Sequence, residues 1–326
     1  LKMMSFIFVF VTIIYPVIIN GVDFSEWLTY DLESNNMVTQ NLIDKCIESM
    51  NYDGTFKIDG FLTEKGIQSI KKNFESVSRH NNFDVFYSNI FQDKGNKSYN
   101  GNHIRNYKQK HFVGFVGRSF ITDELLEFYD YKPVLNFLER IITNVDHKNN
   151  KYGLDCVNEY DCGKYKKLYK SHDKHGSIYF YVANKGGHGC FHFDQHPFSC
   201  VWMINKPAKG EGDLIYGFLP PKRIEYDNTK MRITEGFNWD VLGKMILDKD
   251  QDIIDKYQGI IEPNNGDLYC FKGNITVHTI SPSINDQRIT MVTAYADYDG
   301  FTHMDSITEQ NDWERSGEQK ASKDAL

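Results

Sequence analysis

The stretch Gly189-Cys190-Phe191-His192-Phe193-Asp194-Gln195-His196 decides how the rest of the chain is read. In extended backbone successive side chains alternate faces, so His192 and Asp194 point the same way and can reach one metal ion. The third ligand expected is His278, in the strand-like run Tyr269-Cys270-Phe271-Lys272-Gly273-Asn274-Ile275-Thr276-Val277-His278. Two neutral imidazoles and one carboxylate leave about three adjacent positions of an octahedron open, which suits non-haem Fe(II) and O2 chemistry. Arg288 follows in Arg288-Ile289-Thr290, at the start of the next alternating run. Its guanidinium could take a carboxylate in two parallel hydrogen bonds, which a lysine does less well. His188 and His196 bracket the motif without its spacing.

The order His-x-Asp, distant His, then Arg resembles the iron(II)/2-oxoglutarate-dependent dioxygenases. The likeness covers roughly residues 55–300 and is nearer to a branch acting on small molecules such as free amino acids. Gly266-Asp267-Leu268-Tyr269-Cys270-Phe271-Lys272-Gly273 leading to His278-Thr279-Ile280-Ser281-Pro282 carries it, with Trp202-Met203-Ile204-Asn205-Lys206-Pro207 after the first motif. The resemblance implies Fe(II) on His192, Asp194 and His278, with 2-oxoglutarate and O2 as co-substrates and succinate and CO2 as products. Arg288 would hold the distal carboxylate of 2-oxoglutarate with Thr290 beside it, and Tyr179, Tyr181 or Asn184 the near one. Halogenating relatives lack the carboxylate that Asp194 supplies, so hydroxylation, or a related desaturation or cyclisation, is expected. Gly210-Glu211-Gly212-Asp213 departs from the family's usual Gly-Gly pair and puts only that turn in doubt.

Two other readings compete. The first is a peptidyl prolyl or lysyl hydroxylase, although prolyl enzymes of that kind usually carry Lys where Arg288 stands. The second is a non-catalytic jelly-roll binding protein, insensitive to loss of the three ligands.

Across 326 residues the charges are mixed and the net charge is −7, with no basic stripe to follow phosphates, so nucleic acid is set aside. Lys2 and the 14-residue apolar run Phe6 to Ile19 are short for a bilayer span of about 20 residues. They read as a secretory signal over 1–21, leaving no stable membrane span after cleavage. Lys323-Asp324-Ala325-Leu326, ending a polar tail over 305–326, resembles an endoplasmic-reticulum retention tetrapeptide, with secretion as the alternative address. Between them, 22–304 is expected as one domain of α+β class, a double-stranded β-helix (jelly roll) core flanked by N-terminal helices.

Helices are expected around Thr39–Met50, after Thr55–Leu62 with Ile67, Ile70, Phe74 and Val77 on its buried face, and over Asp123–Tyr129 and Pro133–Ile142. Strands are expected from Ser177 onward, interrupted by a helical insertion near Asn238–Gln258. Residues 80–110 read as a loop in which Asn102 and Arg105, with His103, Asn106 and Tyr107, are candidate substrate contacts. Trp202 is a further candidate wall of the pocket. The segment 146–175 reads as a surface insertion with His147, His172 and His175 exposed. Cys156 and Cys162 are the expected disulfide, while Cys190, Cys200 and Cys270 read as small buried hydrophobes. Of two glycosylation sequons, Asn96 lies in a polar loop and Asn274 close to the expected metal.

Overall fold

The computed structural model describes residues 22–34, 36–80, 82–88, 103–104, 107–173, 176–227, 230–235 and 238–302. In chain order the first elements are α1 (Met37–Asp53), β1 (Thr55–Ile58), α2 (Glu64–Val77), β2 (Asn82–Ser88), β3 (Gln109–Val116), α3 (Asp123–Tyr129) and α4 (Lys132–Ile142). They are followed by β4 (Tyr169–Lys170), β5 (Ile178–Ala183), β6 (Phe198–Asn205), β7 (Leu214–Phe218), β8 (Arg223–Asp227) and β9 (Lys230–Glu235). The chain then forms α5 (Trp239–Gly243), α6 (Gln251–Tyr257), β10 (Gln258–Ile261), β11 (Leu268–Phe271), β12 (Thr276–Ile280) and β13 (Arg288–Ala296).

Local chemistry sets the helix ends. The Asn36 side chain accepts the Thr39 N–H at 2.8 Å and starts α1, which stops at Gly54 in the left-handed region (φ 80°). Thr63 caps α2 through the Gly66 N–H, and Pro133 sits in the first turn of α4, where its missing N–H costs nothing. Ile67, Ile70, Phe74 and Val77 form the buried stripe expected of α2.

An eight-stranded antiparallel sheet runs β1-β11-β6-β13-β5-β3-β2, with β4 added to β13. A smaller sheet, β10-β7-β12, contributes to the same internal cavity. Strand alternation divides the core into two layers. Phe198, Cys200, Trp202 and Ile204 of β6, Phe180 of β5 and Met291 of β13 pack with α1–α4. Val201 and Met203, with Leu214 and Tyr216 of the smaller sheet, pack on the opposite face.

Four expectations change. Residues 82–88 are a strand rather than part of the loop expected over 80–110, because they pair along β3 from Asn82↔Phe115 to Ser88↔Gln109. Trp202 is 1% exposed and lies in the helix-facing layer against Phe61 and Phe128, its indole N–H donating to Thr293 Oγ1 at 3.0 Å. One residue of strand phase thus removes it from the pocket. Cys200 and Cys270 are not free hydrophobes; they stand opposite each other in β6 and β11 and form a disulfide, as Cys156 and Cys162 also do. His147 is 1% exposed rather than on the surface, with its ring 4.7 Å from that of Phe218, because the 146–175 segment contributes Tyr152, Cys162 and Leu168 to buried clusters. His172 is exposed as expected, and His175 lies outside the described residues, as do 1–21, Asn96 and the tail from 303.

Candidate metal centre

His192 and His278 meet as an antiparallel bridge in which each backbone N–H donates to the other's carbonyl at 2.9 Å. Such a hydrogen-bonded pair sets two side chains beside each other, and the imidazole centroids are 4.3 Å apart. The His192–Asp194 segment is extended without being part of a continuous ladder, since the Asp194 N–H donates to the Gly273 carbonyl. Both rings are oriented from behind. His192 Nδ1–H donates to the Cys190 carbonyl (2.7 Å) and His278 Nδ1–H to that of Thr276 (3.0 Å). In the neutral rings this places the lone pair on each Nε2, which faces Asp194 Oδ1, the tautomer a metal ligand needs.

Asp194 Oδ1 lies 3.6 Å from His192 Nε2 and 3.4 Å from His278 Nε2. Its other oxygen, Oδ2, accepts from Ser199 Oγ at 2.6 Å. The three ligand atoms all lie within 4.8 Å of one another, and among the described residues this is the only such cluster of metal-ligating side chains. Two nitrogen lone pairs and a carboxylate oxygen facing one point fit a divalent first-row metal. Burial by itself raises the Asp194 pKa; protonated imidazoles at His278 and His192 outweigh it and hold the carboxyl well below the usual range, and a metal ion would take the place of their Nε2 protons. Burial, then the neighbouring His278, lowers the His192 pKa, which favours the neutral ligand.

The cavity beside these ligands is lined by Tyr179, Tyr181, Tyr269, Phe271, Arg288 and Thr290, among others. Arg288 is 2% exposed. Its Nε donates to the Gly212 carbonyl (2.9 Å), Nη1 to Thr290 Oγ1 (3.2 Å) and Nη2 to the Tyr269 hydroxyl (2.7 Å). A guanidinium has about five N–H donors, so two remain for a ligand. Gly212, at φ 62°, approaches so closely that a Cβ there would lie 2.7 Å from Arg288 Cδ. Burial raises the pKa of Tyr179, Tyr181 and Tyr269, so these phenols stay protonated donors at neutral pH.

The register explains the convergence. Thr290 pairs with Tyr181 and Val292 with Tyr179, which puts all four, with Arg288, on the cavity face. Asn184 instead accepts from Gln287 Nε2, away from the lining. His188 is half-buried and outside the metal cluster, and His196 bonds Ser171 Oγ at 3.1 Å. Asn274 is 3% exposed. Tyr107 is exposed, and His103 packs on Trp239 with ring centroids 5.3 Å apart, so neither lines the cavity. Asn102, Arg105 and Asn106 lie outside the described residues. Sequence reasoning missed Ser199, Tyr269 and Gly212. Ser199 was accessible through strand phase, since it shares a face with Val201 and Met203; the other two required the fold.

No family model and no curated protein matches the chain. Solved structures do. The chain is similar to the non-heme alpha ketoglutarate dependent epimerase SnoN from nogalamycin biosynthesis at 10% identity and TM-score 0.48, over 79% of this chain and 84% of that one. It is similar to the carbocyclase SnoK from the same biosynthesis at 12% identity and TM-score 0.47, over 79% and 85%. A prolyl hydroxylase from Trichoplax adhaerens, in complex with a hypoxia inducible factor peptide fragment, matches at 11% identity and TM-score 0.44, over 82% and 96%.

Proposed function

We propose that this chain is an iron(II)- and 2-oxoglutarate-dependent oxygenase with a double-stranded β-helix core, and that it hydroxylates a C–H bond of a small molecule such as a free amino acid. One observation carries the reading: His192, Asp194 and His278 converge on one point, and the buried guanidinium of Arg288 with two uncommitted N–H groups lines the same cavity. Among the described residues no carboxylate forms an ion pair with Arg288; a buried guanidinium calls for an anion, and a dicarboxylate would supply one end for Arg288 and another for the metal.

His192 and His278 would bind the metal through Nε2, and Asp194 through Oδ1 with its second oxygen held by Ser199. When bound, Fe(II) would supply coordination of the keto acid and activation of O2, the oxidant. The protein's own residues orient and enclose. Arg288 fixes the distal carboxylate and Thr290, whose hydroxyl donates to the Tyr181 carbonyl (3.2 Å), steadies the guanidinium; Tyr179 and Tyr181 offer phenol donors, and Phe271 and Val292 line the cavity. The overall balance is R–H plus O2 plus 2-oxoglutarate giving R–OH, succinate and CO2. We also propose a secretory address, endoplasmic-reticulum lumen or secreted, which the two disulfides support because such bonds persist in oxidising compartments.

The test is aerobic incubation with Fe(II) and 2-oxoglutarate over a metabolite library, with collagen-like peptides as a separate arm. Succinate release tied to a product heavier by one oxygen atom is the expected result. Turnover of peptides alone transfers the reading to a peptidyl hydroxylase. Absence of turnover, with His278→Ala behaving as the wild type, leaves a binding protein.

A further inference from the structure

The turn from Lys272 to Thr276 supports two of the three ligands from behind. The Gly273 carbonyl accepts the Asp194 N–H at 2.9 Å, and the Thr276 carbonyl accepts His278 Nδ1–H at 3.0 Å. A Cβ on Gly273 would lie 2.5 Å from Asp194 Cβ, so the turn and the ligand are in close backbone contact. The Lys272 carbonyl closes the turn by accepting the N–H groups of Ile275 (3.1 Å) and Thr276 (2.9 Å).

The Lys272 side chain is 0% exposed and is not part of the cavity lining. Its Nζ donates to the carbonyls of Cys162 (2.7 Å) and Gly163 and stands 5.3 Å over the Tyr165 ring. Cys162 belongs to the loop closed by the disulfide with Cys156. Burying an amine is costly, and an unbranched apolar side chain would fill similar space, so packing alone does not call for lysine here. Its hydrogen bonds do: they join the ligand-bearing turn to a covalently closed loop.

We propose that Lys272 is a positioning residue, tying the 272–276 turn to the Cys156–Cys162 loop so that Asp194 and His278 present their ligand atoms in register, and that the disulfide thereby contributes to metal affinity without touching a ligand. The inference rests on the metal-centre reading above.

Co(II) titrated into the full chain without air, followed by visible absorption, separates the two. If the wild type binds no Co(II), or His278→Ala binds it equally well, the metal-centre reading fails and this proposal with it. If the wild type binds, Lys272→Met is expected to weaken affinity roughly tenfold or more, as loss of outer-shell support does, and to change the absorption bands. The pair Cys156→Ser with Cys162→Ser is expected to weaken binding by a smaller factor and to add little in the Lys272→Met background, because both act through one connection. Wild-type affinity and spectrum in folded Lys272→Met overturn the proposal, and so do strictly additive effects. Should Lys272→Met not fold, the cysteine pair decides: unchanged affinity there overturns it.

Discussion

Arg288→Lys keeps the charge and removes the planar fork. In the wild type, Gly212, Thr290 and Tyr269 occupy three N–H groups, leaving one on each terminal nitrogen for a carboxylate. A lysine ammonium has three donors on a point charge and makes at best one good bond where the guanidinium makes two. Losing one charge-assisted hydrogen bond costs about 1.5–3 kcal/mol. The dissociation constant for 2-oxoglutarate should therefore rise roughly 10- to 150-fold, at about 1.4 kcal/mol per factor of ten. Calorimetric titration of 2-oxoglutarate into metal-loaded protein without O2 measures this directly, and succinate release against 2-oxoglutarate concentration should show it in KM. Gly212→Ala is the companion variant. Its Cβ would press on Arg288 Cδ at 2.7 Å and its φ of 62° is strained for alanine, so affinity should fall although the arginine is intact. A folded Arg288→Lys protein that binds 2-oxoglutarate within about twofold of wild type would refute this use of the guanidinium.

Ser199→Ala removes the 2.6 Å bond to Asp194 Oδ2 and should weaken metal binding roughly tenfold, read by Co(II) titration. Trp202→Phe loses the indole bond to Thr293 and some buried volume; a loss of about 1–3 kcal/mol should lower the melting temperature with KM unchanged, and a raised KM would return Trp202 to the pocket. Burial pushes the free thiols of Cys46 and Cys190 up to about 12 and about 11. Since only the thiolate reacts, roughly one Cys190 in a thousand is reactive at pH 8, so native protein should resist iodoacetamide and denatured protein should not. Rapid native labelling of Cys190, read by mass spectrometry, would contradict that environment.

Local regularities carried much of the fold and of the site. The period-two alternation around His192 and Asp194, the buried stripe of α2 and the caps at Asn36 and Thr63 depend on residues a few positions apart, and the chain states them directly. Which face of a strand meets which layer is not local. Trp202 reads like its neighbour Met203 as an apolar strand residue, yet pairing of β6 between β11 and β13 sends one to the helices and the other toward the smaller sheet.

What the sequence by itself determined is that His192 and Asp194, two candidate metal ligands, share one face, because a two-residue spacing fixes direction wherever the backbone is extended. Tertiary structure decided the rest. Cys200 meets Cys270 across 70 residues, Tyr269 and Gly212 hold Arg288 from separate strands and turns, and Lys272 reaches back to Cys162. Those partnerships come from strand register and loop closure, where hydrogen-bonding groups are satisfied by whichever segment the sheet brings alongside.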